Sequence, residues 1–153
     1  MKIVVGSDHA GFAMKAELLA YLRELGHDVL DVGSYDPRPV DFPDVARKVA
    51  AAITSGQAER GLMVCGTGVG ASIGANKMKG IRAAVCHDVH SAHQSVEHDD
   101  VNVMCIGAQI VGPWLAKDLI AAYLDAKFST SEEFRRRVAK LADMDAERQP
   151  IDK

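Results

Sequence analysis

Five short apolar segments along the chain are each followed by a segment with helical spacing, and this alternation constrains the fold most. The predicted strands are residues 2–6, 28–33, 62–65, 81–86 and 102–107. Short apolar runs bounded by turn residues are typical of strands that are buried on both faces. Strands that alternate with helices form a parallel sheet covered on both sides. The sequence therefore predicts a Rossmann-like three-layer α/β/α sandwich with a five-stranded parallel sheet.

The helical segments are identified by apolar residues that recur every three or four positions. In the first helix, which follows Gly11, we expect Lys15 to face solvent and the inner face to be Met14, Leu18, Leu22 and Leu25. The last helix has a capping-box pattern, Thr130 with Glu133. Its predicted inner face is Phe134, Val138 and Leu141.

Length, charge and cysteine content restrict the function further. The chain has 153 residues, enough for one core, and we predict a single domain over 1–148 with a frayed polar tail, 149–153. A net charge of −3 without a basic stripe argues against a nucleic-acid partner. No segment is typical of a signal peptide or a membrane span. The three cysteines form no C-x-x-C pair, which predicts no zinc site and free thiols in the cytoplasm.

Residues 61–77 combine a buried strand, three glycines and a helix start. Because the glycines Gly66, Gly68 and Gly70 lead directly into a helix at about Val69, backbone N–H groups should line the carboxyl edge of the sheet. Such a row of N–H groups is suited to an anion or an oxyanion. The same stretch carries polar and nucleophilic side chains, namely Cys65, Thr67, Ser72 and Asn76. We therefore predict an active site here.

Other predicted strands also end in polar residues. Loops at the carboxyl ends of parallel strands converge on one edge of the sheet. The residues expected at that edge, besides those of the central stretch, are Asp8, His9, His87, Asp88 and Gln109. Each alone would be an ordinary loop residue, so their convergence is the stronger indication of a site.

At these positions the chain resembles the ribose-5-phosphate isomerase B family, which also contains the subunits of galactose-6-phosphate isomerase. The matching segments follow in family order and are residues 6–11, 65–77, 80–82, 97–98 and 110–112. The resemblance implies an aldose–ketose isomerase that needs no metal and no cofactor. It also implies a homodimer or a tetramer, with the active site shared between subunits and the C-terminal helix packed on a partner. The implied reaction converts ribose 5-phosphate to ribulose 5-phosphate.

Moving a carbonyl between C1 and C2 of a sugar requires a base, a group that handles protons on the two oxygens, and donors for the enediolate. Cys65 is suited to be the base if backbone N–H groups and the helix start favour its thiolate. The resemblance assigns the oxygen protons to Thr67 and ring opening to His98, acting from the partner subunit. The N–H groups of the segment 66–70, with Asn76, would hold the enediolate.

The resemblance also assigns residues that bind the rest of the substrate. Asp8 would bind sugar hydroxyls, and His9 and Arg137 would bind the phosphate. Ser72 and Asp99 complete the predicted substrate contacts.

Four positions depart from the usual family pattern. Phe42 replaces a tyrosine and Asp99 an asparagine, while Gln109 and Glu133 stand where arginines are frequent. Glu133 and Arg137 are four residues apart on one helix and are expected to pair. These changes leave the identity of the sugar phosphate open, including four- and six-carbon aldose phosphates.

Two other functions fit parts of the sequence. Gly66, Gly68 and Ala71 satisfy a relaxed dinucleotide-binding pattern, and Asp88 follows at about the 20-residue spacing of that pattern. The motif follows the third strand, however, and no second domain is predicted. The second function is that of a non-catalytic subunit that binds sugar phosphates. The presence of both Cys65 and His98 argues against it.

Overall fold

The sheet of the computed structural model has five parallel strands in the order β2-β1-β3-β5-β4. The strands are β1 (Lys2–Ser7), β2 (Asp28–Asp31), β3 (Arg60–Cys65), β4 (Ala83–Val85) and β5 (Val103–Gly107). The helices are α1 (Phe12–Glu24), α2 (Phe42–Thr54), α3 (Val69–Ala75), α4 (Val89–Asp99), α5 (Pro113–Asp125) and α6 (Glu132–Glu147). The structure describes residues 1–147. Within them, no helix has the length and apolarity needed to cross a membrane.

Helices cover both faces of the sheet, as predicted. Alternate residues of β1, β3 and β5 point into two separate cores. One core lies under α1, α4 and α5 and includes Val64 and Ile106, and the other lies under α2 and α3 and includes Cys65 and Cys105. The three-layer α/β/α fold with five parallel strands is therefore confirmed. The predicted boundary at residue 148 and the tail 149–153 lie outside the described residues.

The two outermost strands are shorter than predicted, and side-chain hydrogen bonds hold residues at their ends. Regular strand geometry ends at Asp31, whose carboxylate accepts a hydrogen bond from the Gly33 N–H at 3.0 Å, although the Val32 N–H still donates to the carbonyl of Val5 at 3.0 Å. At β4, the outward-facing N–H of Ala83 donates to the side-chain oxygen of Asn76 at 2.8 Å. An adjacent helix thus takes the place of a further strand at this edge.

Two predictions for α1 are wrong. Lys15 was expected in solvent, but it is buried, and its Nζ forms an ion pair with Asp31 at 2.6 Å. Leu25 was expected in the core, but it caps the end of α1 and is 47% exposed. Helical spacing alone could not predict that Lys15 is buried, because a buried cation requires a partner from a distant part of the chain.

The C-terminal helix does not bury its apolar face within this chain. None of the described residues of α6 is buried, and Leu141 of the predicted inner face is 42% exposed. Phe134 contacts α4 instead, where its ring stacks on His98 with the centroids 3.9 Å apart. The helix begins at Glu132, one residue later than a cap at Thr130 would place it.

Candidate active site

The loop between β3 and α3 surrounds the sulfur of Cys65 with backbone. Cys65 is the last residue of β3, and the N–H of Gly68 donates to its Sγ at 3.0 Å. Gly68 is the N-cap of α3 and has a φ of +80°, a conformation that a side chain would disfavour. Cys65 is 6% exposed. The loop brings an N–H donor and a helix start to this thiol.

The first loop of the chain lies directly against the end of β3. A Cβ atom on Gly11 would lie 2.1 Å from the carbonyl oxygen of Val64, so only glycine permits this approach. The N–H of Gly11 donates to the Asp8 carboxylate at 3.0 Å, which holds Asp8 in the same loop. Asp8 therefore lies at the strand end that carries Cys65.

The fifth strand closes the other side of the β3–α3 loop. A Cβ atom on Gly107 would lie 2.7 Å from the Cα of Thr67. The hydroxyl oxygen of Thr67 accepts a hydrogen bond from the N–H of Val69 at 3.4 Å. Gln109, which follows β5, lies against Gly66. A Cβ atom on Gly66 would be 3.1 Å from the amide oxygen of Gln109. Two neighbouring strand ends are thus packed around one loop.

His9 and Phe42 border the same loop. The N–H of Val40 donates to Nδ1 of His9 at 3.4 Å, which joins the loop after β2 to the loop after β1. The Phe42 ring lies over Gly70, where a Cβ atom would be 3.0 Å from the ring. We call the residues at this edge the carboxyl-edge group: Asp8, His9, Phe42, Cys65, Gly66, Thr67, Gly68, Gly70 and Gln109.

Ser72 and Asn76 point away from this loop toward β4. The Asn76 amide donates to the carbonyl of Ala83 at 2.8 Å and accepts from the N–H of the same residue. The Ser72 hydroxyl donates to that carbonyl at 3.3 Å. Both side chains thus secure the edge strand, and their predicted contacts to substrate stay predictions.

His87 and Asp88 have structural partners at the end of β4. Nε2 of His87 accepts a hydrogen bond from the N–H of Gly107 at 2.9 Å. The Asp88 carboxylate caps α4 by accepting from the hydroxyl and the N–H of Ser91, and these bonds hold the pKa of that carboxyl below its usual range. The dinucleotide interpretation needed Asp88 for a ribose, so the structure argues against it.

The direction of α4 separates His98 from the carboxyl-edge group of its own chain. The helix begins at its cap Asp88, just after β4, and runs back antiparallel to the strands for 11 residues, roughly 16 Å. At its far end, the carbonyl of Asp100 accepts from Nε of Arg82 at 2.8 Å, and Arg82 directly precedes β4. His98 therefore lies at the amino edge of the sheet, whereas Cys65 lies at the carboxyl edge.

Predicted residues from two helices meet at this amino edge. His98 and Asp99 end α4, and α6 packs beside them through the stack of Phe134 on His98. The expected pairing of Glu133 with Arg137 is confirmed, with Oε2 and Nη2 4.0 Å apart. We call His98, Asp99, Phe134, Glu133 and Arg137 the amino-edge group. The predicted site residues are thus divided between two edges of the sheet.

The three cysteines differ in their surroundings. All three are free thiols. Burial raises the pKa of the thiols of Cys86 and Cys105, so neither is suited to act as a thiolate. Cys65 is the one of the three that lies in the glycine loop and accepts a backbone N–H.

Comparison with known proteins shows which family the sequence matches. A family model described as Ribose/Galactose Isomerase matches residues 3–141. The chain is 43% identical to ribose-5-phosphate isomerase B of Escherichia coli over 135 residues, 88% of this chain and 91% of that protein. It is 44% identical to a D-erythrulose-4-phosphate isomerase of Pectobacterium atrosepticum over 131 residues, 84% and 85% of the two chains.

A solved structure supports the same assignment. The structure of Clostridium thermocellum ribose-5-phosphate isomerase B superposes with a TM-score of 0.93 at 42% identity, covering 96% of this chain and 99% of the other. The fold and the sequence together define the chain as a sugar-phosphate isomerase. The chain belongs to the Ribose/Galactose Isomerase family.

Proposed function

We propose that the chain catalyses the aldose–ketose isomerisation of a sugar phosphate through an enediolate. The observation that carries this proposal is the Cys65 thiol at the end of β3, with the Gly68 N–H 3.0 Å from its sulfur. An N–H donor and a helix start both favour negative charge on sulfur. Membership of an isomerase family is consistent with it. We also propose that the protein acts in the cytoplasm, since free thiols are typical of a reducing compartment.

The residues of the carboxyl-edge group supply each step of this reaction. The Cys65 thiolate removes the proton from C2 of the open-chain aldose, and the electrons of that bond form the enediolate. The N–H groups of the segment 66–70 stabilise the negative charge on oxygen. Thr67 moves the hydroxyl proton between the two oxygens, and the Cys65 thiol then returns a proton to C1, giving the ketose.

Ring opening requires a further group that protonates the ring oxygen, and we assign it to His98 of a partner subunit. His98 and Cys65 of one chain lie at opposite edges of the sheet. A two-fold axis that sets two sheets antiparallel brings the amino edge of each chain to the carboxyl edge of the other. The α6 helix supports such a dimer, since none of its described residues is buried within its own chain. Arg137 would then reach the phosphate from the partner, in a homodimer or tetramer.

The proposed function is tested by assaying the purified protein with four-, five- and six-carbon aldose phosphates. We expect ribose 5-phosphate to be isomerised, since ribose-5-phosphate isomerase B is among the relatives. A preference for a four-carbon substrate is the second candidate, because a D-erythrulose-4-phosphate isomerase is equally similar. Binding of these sugars without turnover of any would show a non-catalytic subunit instead.

The charge of the amino-edge group predicts how tightly the phosphate is held. Glu133 lies 4.0 Å from Arg137 and competes with a phosphate dianion for that cation. Each charge-assisted hydrogen bond contributes roughly 1.5–3 kcal/mol. Glu133→Arg should therefore lower the KM for ribose 5-phosphate by about one to two powers of ten, measured by steady-state kinetics.

The matched control for this prediction is Glu132→Arg, which makes the same charge change one residue earlier on α6. Glu132 is five positions before Arg137, so it lies on another side of the helix. A KM that rises with Glu133→Arg, or falls equally with both variants, would contradict the proposed weakening of the phosphate site.

A further inference from the structure

Lys15 is a buried cation that has no role in the proposed reaction. Lys15 of α1 is 2% exposed, and its Nζ lies 2.6 Å from the Asp31 carboxylate and 2.6 Å from the carbonyl oxygen of Ser34. The same Nζ lies 5.4 Å from the centre of the Tyr35 ring. All three partners belong to the end of β2 and the residues that follow it. Lys15 therefore joins one helix to one short segment.

That segment continues along the carboxyl-edge group. We call residues 32–41 the β2–α2 loop. At its start, the Ser34 N–H donates to the carbonyl of Ser7, the last residue of β1, at 2.6 Å. Further on, the Val40 N–H contacts His9, and Phe42, the next residue after the loop, lies over Gly70. The path of the loop thus determines how His9 and Phe42 border the site.

A contribution to stability alone does not account for Lys15. Well-packed apolar residues in place of a buried ion pair are often neutral or stabilising, so such a pair is weak evidence for stability. The ion pair instead fixes a backbone conformation. A lysine that is hydrogen-bonded to both a carboxylate and a carbonyl allows only one course of the backbone that carries them.

We propose that Lys15 is a positioning residue that fixes the β2–α2 loop and thereby sets the affinity for substrate. This inference rests on the proposed function, which places substrate at the carboxyl edge. Lys15 acts through His9 and Phe42 and does not touch Cys65, whose donor Gly68 belongs to another loop. Replacing Lys15 should therefore weaken the binding of substrate more than it slows proton transfer.

The test is Lys15→Met, which keeps an unbranched side chain that is one atom shorter and removes its charge. We expect the KM for the aldose phosphate that the wild type turns over to rise about three- to tenfold, the value of about one hydrogen bond, with kcat within about twofold. Hydrogen exchange measured by mass spectrometry should become faster in residues 33–41 and stay unchanged in β1 and β3. Lys15→Arg, which retains a cation, should recover part of the loss.

The control is Arg47→Met, which removes the cation of an exposed pair with Asp44 on α2 and should change neither readout. If Lys15→Met does not fold, Asp31→Asn serves instead, because this partner is 23% exposed and can be solvated. An unchanged KM with unchanged exchange, a fall in kcat alone, or faster exchange throughout the sheet would each overturn the proposal. An inactive wild type would refute the proposed function, whereas the exchange pattern still reports on the loop.

Discussion

Replacing Cys65 by alanine is expected to lower turnover by about 10²–10⁴-fold while leaving the fold intact, because general acid–base catalysis is typically worth this much. The side chain is at the end of β3, and its sulfur accepts the Gly68 N–H. Alanine leaves the glycine loop in place and removes only the group that takes the proton. The measurement is kcat for the aldose phosphate, with circular dichroism to verify the fold.

The control for this experiment is Cys86→Ala, which removes a buried thiol that takes no part in the proposed reaction. It should keep most of the turnover and reduce stability slightly. If Cys65→Ala retains most of the wild-type kcat, the thiol is structural, and Thr67 or Asp8 becomes the candidate base.

His98→Asn should reduce turnover of the cyclic aldose phosphate by about 10²-fold or more and affect the ketose much less. Ribulose 5-phosphate cannot close a ring, so it does not need the proton that His98 donates. The comparison is made with both substrates at saturation. His93→Asn changes an exposed histidine on the same helix and provides the control, for which we expect wild-type kinetics.

Mixing the two inactive variants tests whether the site is shared between chains. When equal amounts of Cys65→Ala and His98→Asn subunits are mixed at random, half of the dimers are hybrids, and one of their two sites has both residues. Activity should therefore return to about a quarter of the wild-type level. No recovery after verified subunit exchange would mean that Cys65 and His98 do not act in one site.

The fold was predictable because strands buried on both faces and helices with one apolar face are local patterns. The carboxyl-edge group followed from the same reasoning, since parallel strands place their ends together. The burial of Lys15 was not predictable, because its partners lie in a separate segment, at Asp31 and Ser34. The periodicity of a helix does not indicate a contact between one of its residues and a distant segment.

The amino-edge group shows a second limit. The family resemblance implied that His98 acts from the partner subunit and that the C-terminal helix packs on a partner, but the apolar spacing of α6 alone indicates neither. None of the described residues of α6 is buried within its own chain. An amphipathic pattern predicts that a helix face is buried but does not say whether the cover is the same chain or another copy. The close approach of Gly11 to Val64 was likewise invisible, because it depends on backbone geometry.

The antiparallel course of α4 also has a genetic consequence. In the proposed dimer, each chain would supply its thiol to one site and its histidine to the other, so every chain would serve two sites. A chain that lacks both groups would inactivate the two sites of any dimer it enters, including the site that carries the intact thiol of a wild-type partner. Such an allele would be dominant over the wild type, and cells that make equal amounts of both chains would lose more than half of their activity.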